Sequence, residues 1–432
     1  MNTHARHRWL DEWQGAGTQR LRRIVDEGAA LVAQYERETR HRQRQRRSAD
    51  QANHLRAIEA TVCNLAYAVL MPPPTGRIAL LTGNGDSGFS RYDSPAFGRP
   101  FRDLLAALDA IGWLSLERGY RDRSGGVASS IAPTAVLKAK VTEAGISLTD
   151  FGRIEGEEVI LFSRKVVTTP DGPARKELVE YQDTATLRDH RDTLRSLNAF
   201  QAQADITFLD DGLGMVDLQN RVQRRHFLCD AEGQPDASLG GRLYGGAWQN
   251  LQRHRRGHIR IEGGPVTLLD YSAMAPRLAY ASVGVEPPPG DIYALPGIDP
   301  EHREAVKKAF NTLLCDPFTR KRGWPQPEDS DPRLPLAWSV PRFRDALLSR
   351  HPALSHCLGR GLAKQLQNTE SLILIEVMRE MKSRAVPILT IHDGLLCQSP
   401  KASEIEVVMK EAAQSITSFN IPVSVTHLPA AV

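Results

Sequence analysis

The chain has 432 residues, a formal net charge of +4, 41% hydrophobic residues and 25% charged residues. That length suits two or three domains with ordinary buried cores, and no apolar run approaches the roughly 20 residues of a membrane-spanning helix. Five cysteines, at positions 63, 229, 315, 357 and 397, are odd in number and lack CxxC spacing, which argues against a disulfide framework or a zinc site; with a polar N-terminus, a cytoplasmic location is expected.

In chain order, Leu21, Ile24, Val25, Leu31 and Val32, then Leu55, Ile58, Val62 and Leu65, give residues 19–70 a helical spacing that ends at Pro72-Pro73-Pro74. Residues 37–47 hold six arginines against one acid, with Arg20, Arg22 and Arg23 upstream. Such a stretch either attracts a polyanion or is a solvated helix face. Residues 1–74 are thus expected to form a basic helical N-terminal segment. Next, Phe101, Leu104, Leu105, Leu108 and Ile111 mark a helix, Trp113 to Leu116 a strand, Arg118 to Gly126 a basic glycine-rich loop, and Glu157 to Phe162 a later strand. Helix, strand, basic loop and strand is the order of a winged helix, so residues 75–170 are expected to be winged-helix-like. Residues 183–232 read mainly as helix, through Leu187, Leu194, Leu197, Phe200, Leu218, Val222 and Phe227. Asp210-Asp211, before Gly212, reads as a structural turn.

Two aspartates then close short apolar runs, Asp270 after Val266-Thr-Leu-Leu and Asp393 after Pro387-Ile-Leu-Thr-Ile-His. Packed strands fix the backbone, so an acid at a strand end is aimed at one point. A pair of such ends can hold two Mg2+ ions, with Mn2+ as a substitute, for phosphoryl transfer. Between them, Ala305, Val306, Ala309, Phe310 and Leu313 mark a helix on which Arg303, Lys307 and Asn311 fall at i, i+4 and i+8. That face suits a nucleoside triphosphate, with Arg303 and Lys307 holding phosphates and Lys307 able to protonate a pyrophosphate leaving group. A solvated amphipathic helix is the plainer alternative.

The order strand-Asp-Tyr-Ser, helix with Arg-x-x-x-Lys, strand-His-Asp resembles motifs A, B and C of family A DNA polymerases and phage-type single-subunit RNA polymerases. Gly240-Gly241-Arg242 with Trp248-Gln249-Asn250, and Leu366-Gln367-Asn368, match two further segments of that superfamily, so that the resemblance covers about residues 236–432. It implies an α+β right-hand polymerase: a thumb-like helical region over 171–235, palm over 236–300 and 366–432, and shortened fingers over 301–365. It also implies that the backbone carbonyl of Tyr271 joins Asp270 and Asp393 as a metal ligand, and that Arg242, Gln249, Arg277, Gln367 and His392 meet a DNA template-primer. Nucleoside triphosphates would be the second substrate, with no membrane involved.

The chain departs from the pattern at three places. Ala275 stands where a glutamate usually helps exclude the ribose 2′-hydroxyl, Cys315 and Asp316 replace a Tyr-Gly pair, and Gly394 replaces an acidic or hydroxyl residue after the motif C aspartate. The expected activity is therefore primer extension by a DNA-directed DNA polymerase. Primase or RNA polymerase activity on the same scaffold, and a DNA-binding replication or mobile-element protein with a weak polymerase remnant, stay open at this stage.

Overall fold

The computed structural model describes residues 8–39, 44–80, 90–98, 100–122, 125–167, 175–315, 323–324 and 332–429. The chain divides into two compact units, Met1–Glu158 and Val159–Val432, both mixed α and β. Among the described residues no helix is long and apolar enough to cross a membrane.

The first unit runs β1 (Arg8–Trp9), β2 (Gln14–Ala16), α1 (Gln19–Glu38), α2 (Ser48–Leu70), β3 (Ile78–Leu80), α3 (Pro100–Ala110), β4 (Leu114–Glu117), β5 (Tyr120–Asp122), β6 (Gly125–Val127), β7 (Ser129–Pro133), α4 (Ala135–Glu143) and β8 (Phe151–Arg153). Its main sheet has the order β1-β3-β7-β4, and β5–β6 is a separate hairpin between β4 and β7. Leu21, Val32, Ile58, Leu65, Leu104, Leu108, Trp113 and Ile131 belong to one core. The two long helices and the sheet therefore share an interior, and residues 1–74 are not a body of their own. The expected helical run over 19–70 is two helices with a break between them. Several of its arginines are held locally: Arg22 pairs with Glu59 at 2.5 Å, Arg46 with both oxygens of Glu36, and Arg20 donates to the Gly145 carbonyl. Arg40 and Arg42 of the basic run lie outside the described residues.

The second unit runs β9 (Ile160–Val166), β10 (Arg175–Leu178), α5 (Ala185–Gln203), β11 (Ile206–Phe208), β12 (Arg224–Cys229), β13 (Pro235–Tyr244), β14 (Ile259–Ile261), β15 (Gly264–Tyr271), α6 (Met274–Ser282), α7 (Arg303–Cys315), α8 (Val340–Arg350), α9 (Ala363–Ser383), β16 (Leu389–Ile391), β17 (Gly394–Gln398), α10 (Ala402–Thr417) and β18 (Val423–His427). One sheet has the order β10-β9-β12-β13; the other is β11-β14-β15-β17-β16, with β18 also on β15. The strand expected near 157–162 is thus β9, part of this unit's first sheet.

Residues 183–232 are helical only through α5; Phe227 sits in β12 instead. Arg225, Phe227 and Cys229 are buried in alternation, a period of two. The arginine among them hides that period from an apolar-spacing count. In β13, Gly240 and Gly241 have φ of 78° and 84°, where a side chain is strained, and the register slips against β12 at this point. The bulge also lets α9 come close, because a Cβ on Gly241 would stand 3.1 Å from both Asn368 Nδ2 and Ser371 Oγ. Of the turn-rich loop expected over 323–332, residues 325–331 lie outside the described residues, as does Asp316.

In the first unit, Gly28 of α1 faces the ring of Trp113, which a Cβ would meet at 2.7 Å. Trp113 is almost fully buried, so the ring has little room to give way. Gly28→Val is expected to destabilise the protein by about 1–3 kcal/mol, as overpacking does; a denaturant midpoint equal to wild type would contradict this.

Candidate active site

The two aspartates arrive on adjacent strands. β15 lies between β17 and β18, and its pairing with β17 puts Asp270 opposite Gly394. Asp393 immediately precedes Gly394, in the two-residue turn that joins β16 to β17. That turn is locked to β15, since the Tyr271 amide donates to the Asp393 carbonyl at 3.2 Å. His392, the other turn residue, has φ of 53°, a left-handed value uncommon for a non-glycine residue. Position 394 carries no side chain for a steric reason: a Cβ there would lie 2.5 Å from Asp270 Oδ1 and 2.6 Å from the Leu269 carbonyl oxygen. The Asp270 carboxylate occupies that space.

Side chains behind the turn hold it in place. Thr390, 1% exposed, accepts from Gln223 Nε2 at its hydroxyl (2.7 Å) and from Trp248 Nε1 (2.9 Å) and Gln249 Nε2 (3.1 Å) at its carbonyl. Gln249 also donates to the Leu243 carbonyl and accepts from the Gly245 amide. Both its polar atoms thus bond the backbone. On the far side, the Tyr271 hydroxyl donates to the Met409 carbonyl at 2.6 Å, tying β15 to α10.

Electrostatics make Asp270 the unusual acid. Burial, then the charge of Asp393, push its carboxyl up to about 6, against the opposing pull of Lys307 and Arg253. Glu370 of α9 is a third carboxylate in the same field: burial, Asp393 and Asp270 raise it, and Arg242 lowers it. Arg242 grips Glu370 with two bonds of 2.7 Å, from Nε and from Nη2. His392 is held below its usual value by burial and by Arg242, so its ring is neutral at pH 7. Tyr244 meets that ring edge-on, with centroids 6.0 Å apart.

The expected phosphate-binding face of α7 divides. Lys307 acts on Asp270 and, among the described residues, has only a long contact of 3.8 Å to Glu304. Arg303 is engaged, with Nε 2.6 Å and Nη2 3.1 Å from the two oxygens of Asp291 and its guanidinium over the Tyr293 ring. Asn311 Oδ1 is buried with no hydrogen-bond partner among the described residues. Arg277 of α6 donates to the Ser272 carbonyl at 3.1 Å and senses Glu286 and Asp291. Ala275 is half-buried on α6, and Gln367 is half-buried on α9 one turn before Glu370.

Three groups near the carboxylates went unnoticed in the sequence. Arg253, in the 3-10 turn Arg253–His258, is exposed and makes no hydrogen bond or ion pair among the described residues while acting on Asp270. Its signal was the run Arg253-His254-Arg255-Arg256 just ahead of β15. Arg255 of that run is already paired with Asp211 at 2.6 Å. Glu370 gave no signal beyond a polar position in a helical pattern. Tyr293, 3% exposed, packs edge-on against Phe310 of α7, and burial with a contribution from Asp393 pushes it up to about 12.

No family model matches the chain, and no curated protein does. Among solved structures it is similar to the POL domain of Pol1 from M. smegmatis in complex with DNA primer-template and dNTP, at 11% identity over 96% of this chain and 67% of that one, with a TM-score of 0.31.

Among the described residues no group of three or more His, Cys, Asp or Glu is set to hold a metal ion. Two carboxylates still fit Mg2+, which keeps several waters and is commonly held by one or two carboxylates together with substrate phosphates. The raised Asp270 gives a direct check. Its folded value lies above the ordinary 3.8, so its ionisation favours unfolding: the stability tied to its neutral form is present below about pH 4 and lost as pH rises through about 6. Asp270→Asn is expected to raise Tm of the metal-free protein at pH 8 by a few degrees (roughly 2–5 °C) and to leave it unchanged at pH 4. Mg2+ should raise Tm of the wild type at pH 8 and not that of the variant. Equal melting of both proteins at both pH values would refute the assignment of a penalised charge to Asp270.

Proposed function

We propose that the second unit is a template-directed nucleotidyltransferase, a DNA polymerase extending a primer, with its reaction centre at Asp270 and Asp393. The observation that carries this reading is the placement of those two acids, 123 residues apart in the chain, Asp270 on β15 and Asp393 in the turn that opens the neighbouring β17, with Asp270 penalised by burial and then by its neighbour's charge. The resemblance of their flanking motifs to family A polymerases supports the substrate class.

In this reading Asp270 and Asp393 hold two Mg2+ ions, for which Mn2+ can substitute, with the Tyr271 carbonyl as a further ligand. Bound there, the ions would supply activation of a primer 3′-hydroxyl and neutralisation of the phosphate charge. The protein's own groups do the rest. Lys307 neutralises the triphosphate and donates a proton to the departing pyrophosphate, as an ammonium can. Arg253 takes the second cationic place, because Arg303 is bound to Asp291. Neutral His392 and Gln367 lie toward the primer end. The small Ala275 favours tolerance of a ribose 2′-hydroxyl, which keeps primase or RNA synthesis as the second reading.

For the first unit the proposal is nucleic-acid binding of winged-helix type. The antiparallel trio β3-β7-β4, α3 directly before β4 and the β5–β6 hairpin between β4 and β7 support it. Exposed Arg118 and Tyr120 make the hairpin side the contact surface. On α3, exposed Asp103 and Asp109 offset Arg102.

Primer extension with deoxy- and ribonucleotides in parallel, under Mg2+ and Mn2+, tests the reading. Asp270→Ala or Asp393→Ala should cut incorporation at least about a thousandfold, and Lys307→Ala about a hundredfold, as loss of charge stabilisation at a developing anion does. Arg253→Ala should raise KM for the nucleotide by about tenfold and Arg303→Ala by less than about threefold. Wild-type protein that incorporates neither nucleotide with either metal would sink the proposal. Equal effects at Arg253 and Arg303 would remove Arg253 from the site.

A further inference from the structure

Arg242 and Glu370 form a closed pair next to the carboxylates, and the fold goes to some length to make it. The Gly240–Gly241 bulge turns β13 so that Arg242 falls opposite His226, and the same bulge admits α9, which carries Glu370. Buried Arg225 fixes the bulge by donating Nε to the Gly241 carbonyl at 3.1 Å and Nη2 to Ser371 Oγ at 2.9 Å. Asn368 of α9 donates to the Ala237 carbonyl at 2.9 Å. Glu370 keeps only 6% of its side chain exposed and Arg242 keeps 27%. Nε and Nη2 point at the carboxylate, whereas Nη1 makes no hydrogen bond among the described residues.

A buried acid is tolerable when its charge is matched and its oxygens are bonded, and Arg242 does both. Breaking such a pair leaves a buried charge without compensation. The guanidinium is therefore fixed in direction, its charge is already matched, and Nη1 is left without a hydrogen-bond partner among the described residues on a side chain that keeps 27% of its surface exposed.

We propose that Glu370 is a positioning residue: it holds Arg242 beside Asp393 so that Nη1 donates to an uncharged acceptor on a bound nucleic-acid strand. A matched pair releases few counterions, so the contact contributes direction without adding to salt dependence. This inference rests on the nucleotidyl-transfer reading above, and it adds how the strand is held. Glu370 need not touch the strand or a metal ion.

The test is a double-mutant cycle on full-length protein, with affinity for a short primer-template duplex followed by fluorescence anisotropy across a salt series. Glu370→Gln keeps the shape of the side chain and removes its charge. Glu370→Gln and Arg242→Ala are each expected to weaken binding by about tenfold, and the double variant to be no weaker than Arg242→Ala alone. The slope of log affinity against log salt should match wild type in Arg242→Ala. Arg242→Lys, which retains charge but not the two-pronged geometry, should not restore affinity. In primer extension, Glu370→Gln should raise KM for the duplex and leave kcat within about twofold.

Additive losses in the double variant would mean that Glu370 acts on packing, not through Arg242, and would overturn the inference. So would a slope about one unit shallower in Arg242→Ala, which marks a lost phosphate contact. Wild-type protein that fails to bind the duplex, or a Glu370→Gln variant that folds and binds as wild type, overturns it too. Should Glu370→Gln not fold, Arg242→Ala and Arg242→Lys alone decide, since the slope and the missing rescue do not involve it. Incorporation by wild type but not by Asp270→Ala judges the polymerase reading separately.

Discussion

The arrangement of the second unit depends on one steric and electrostatic constraint, the Asp270 carboxylate lying in the space that a side chain at residue 394 would fill. Antiparallel neighbours face each other across about 5 Å, and here one of them has no Cβ. Gly394 thus sets where Asp270 points, and the turn directly before Gly394 sets where Asp393 is. The two acids are brought together by a register, not by a shared helix or loop. A slip of one residue between β15 and β17 would send Asp270 to the opposite face.

Holding two acids close works against folding, and the structure meets that cost with rigidity around them. Thr390 is fixed by three side chains from the segment 223–249, the turn backbone is bonded to β15, and Tyr271 is anchored on α10. The left-handed His392 persists only because this frame overdetermines the turn. Local strain, a raised carboxyl and a satisfied supporting shell together are what a site built to receive cations would show.

Much of this centre could be read from sequence because strand-end acids combine two independent signals, apolar runs and a polar stop. The strand-end positions of Asp270 and Asp393 are legible that way, and α7 is legible from its apolar spacing. Cation partners could not be read, because they depend on what else folds nearby. Arg303 meets Asp291, which lies in a segment without periodic pattern, and Gln249 turns to backbone carbonyls that only the hairpin brings within reach. Strand β12 carries no strand signal in the sequence, because buried Arg225 interrupts its apolar alternation. Glu370 illustrates the same limit: on a helix wheel it is one more polar position, and its 4% exposure follows from the bulge in β13.

The positions of charge around the acids also explain the departure at Gly394. An acid at that position would place a third negative group on the strand beside Asp270, and even an alanine would meet the Leu269 carbonyl oxygen at 2.6 Å, so that the backbone would have to shift. The third acid that does enter this field, Glu370, comes from α9 and brings its own cation with it. Its charge is therefore confined, and Asp270 and Asp393 keep the unmatched negative charge that a divalent ion would relieve. Lys307 and Arg253 act on Asp270 from separate elements and, among the described residues, are not consumed by close ion pairs. Bound and unbound charge thus sit side by side: Arg242 with Glu370, Arg303 with Asp291 and Arg255 with Asp211 are closed pairs, while Lys307 on α7 and Arg253 on the 3-10 turn have no close ion pair among the described residues. Under the proposed nucleotidyl transfer, a triphosphate would use the second kind, and a strand that is held but also moved along would be better served by the first.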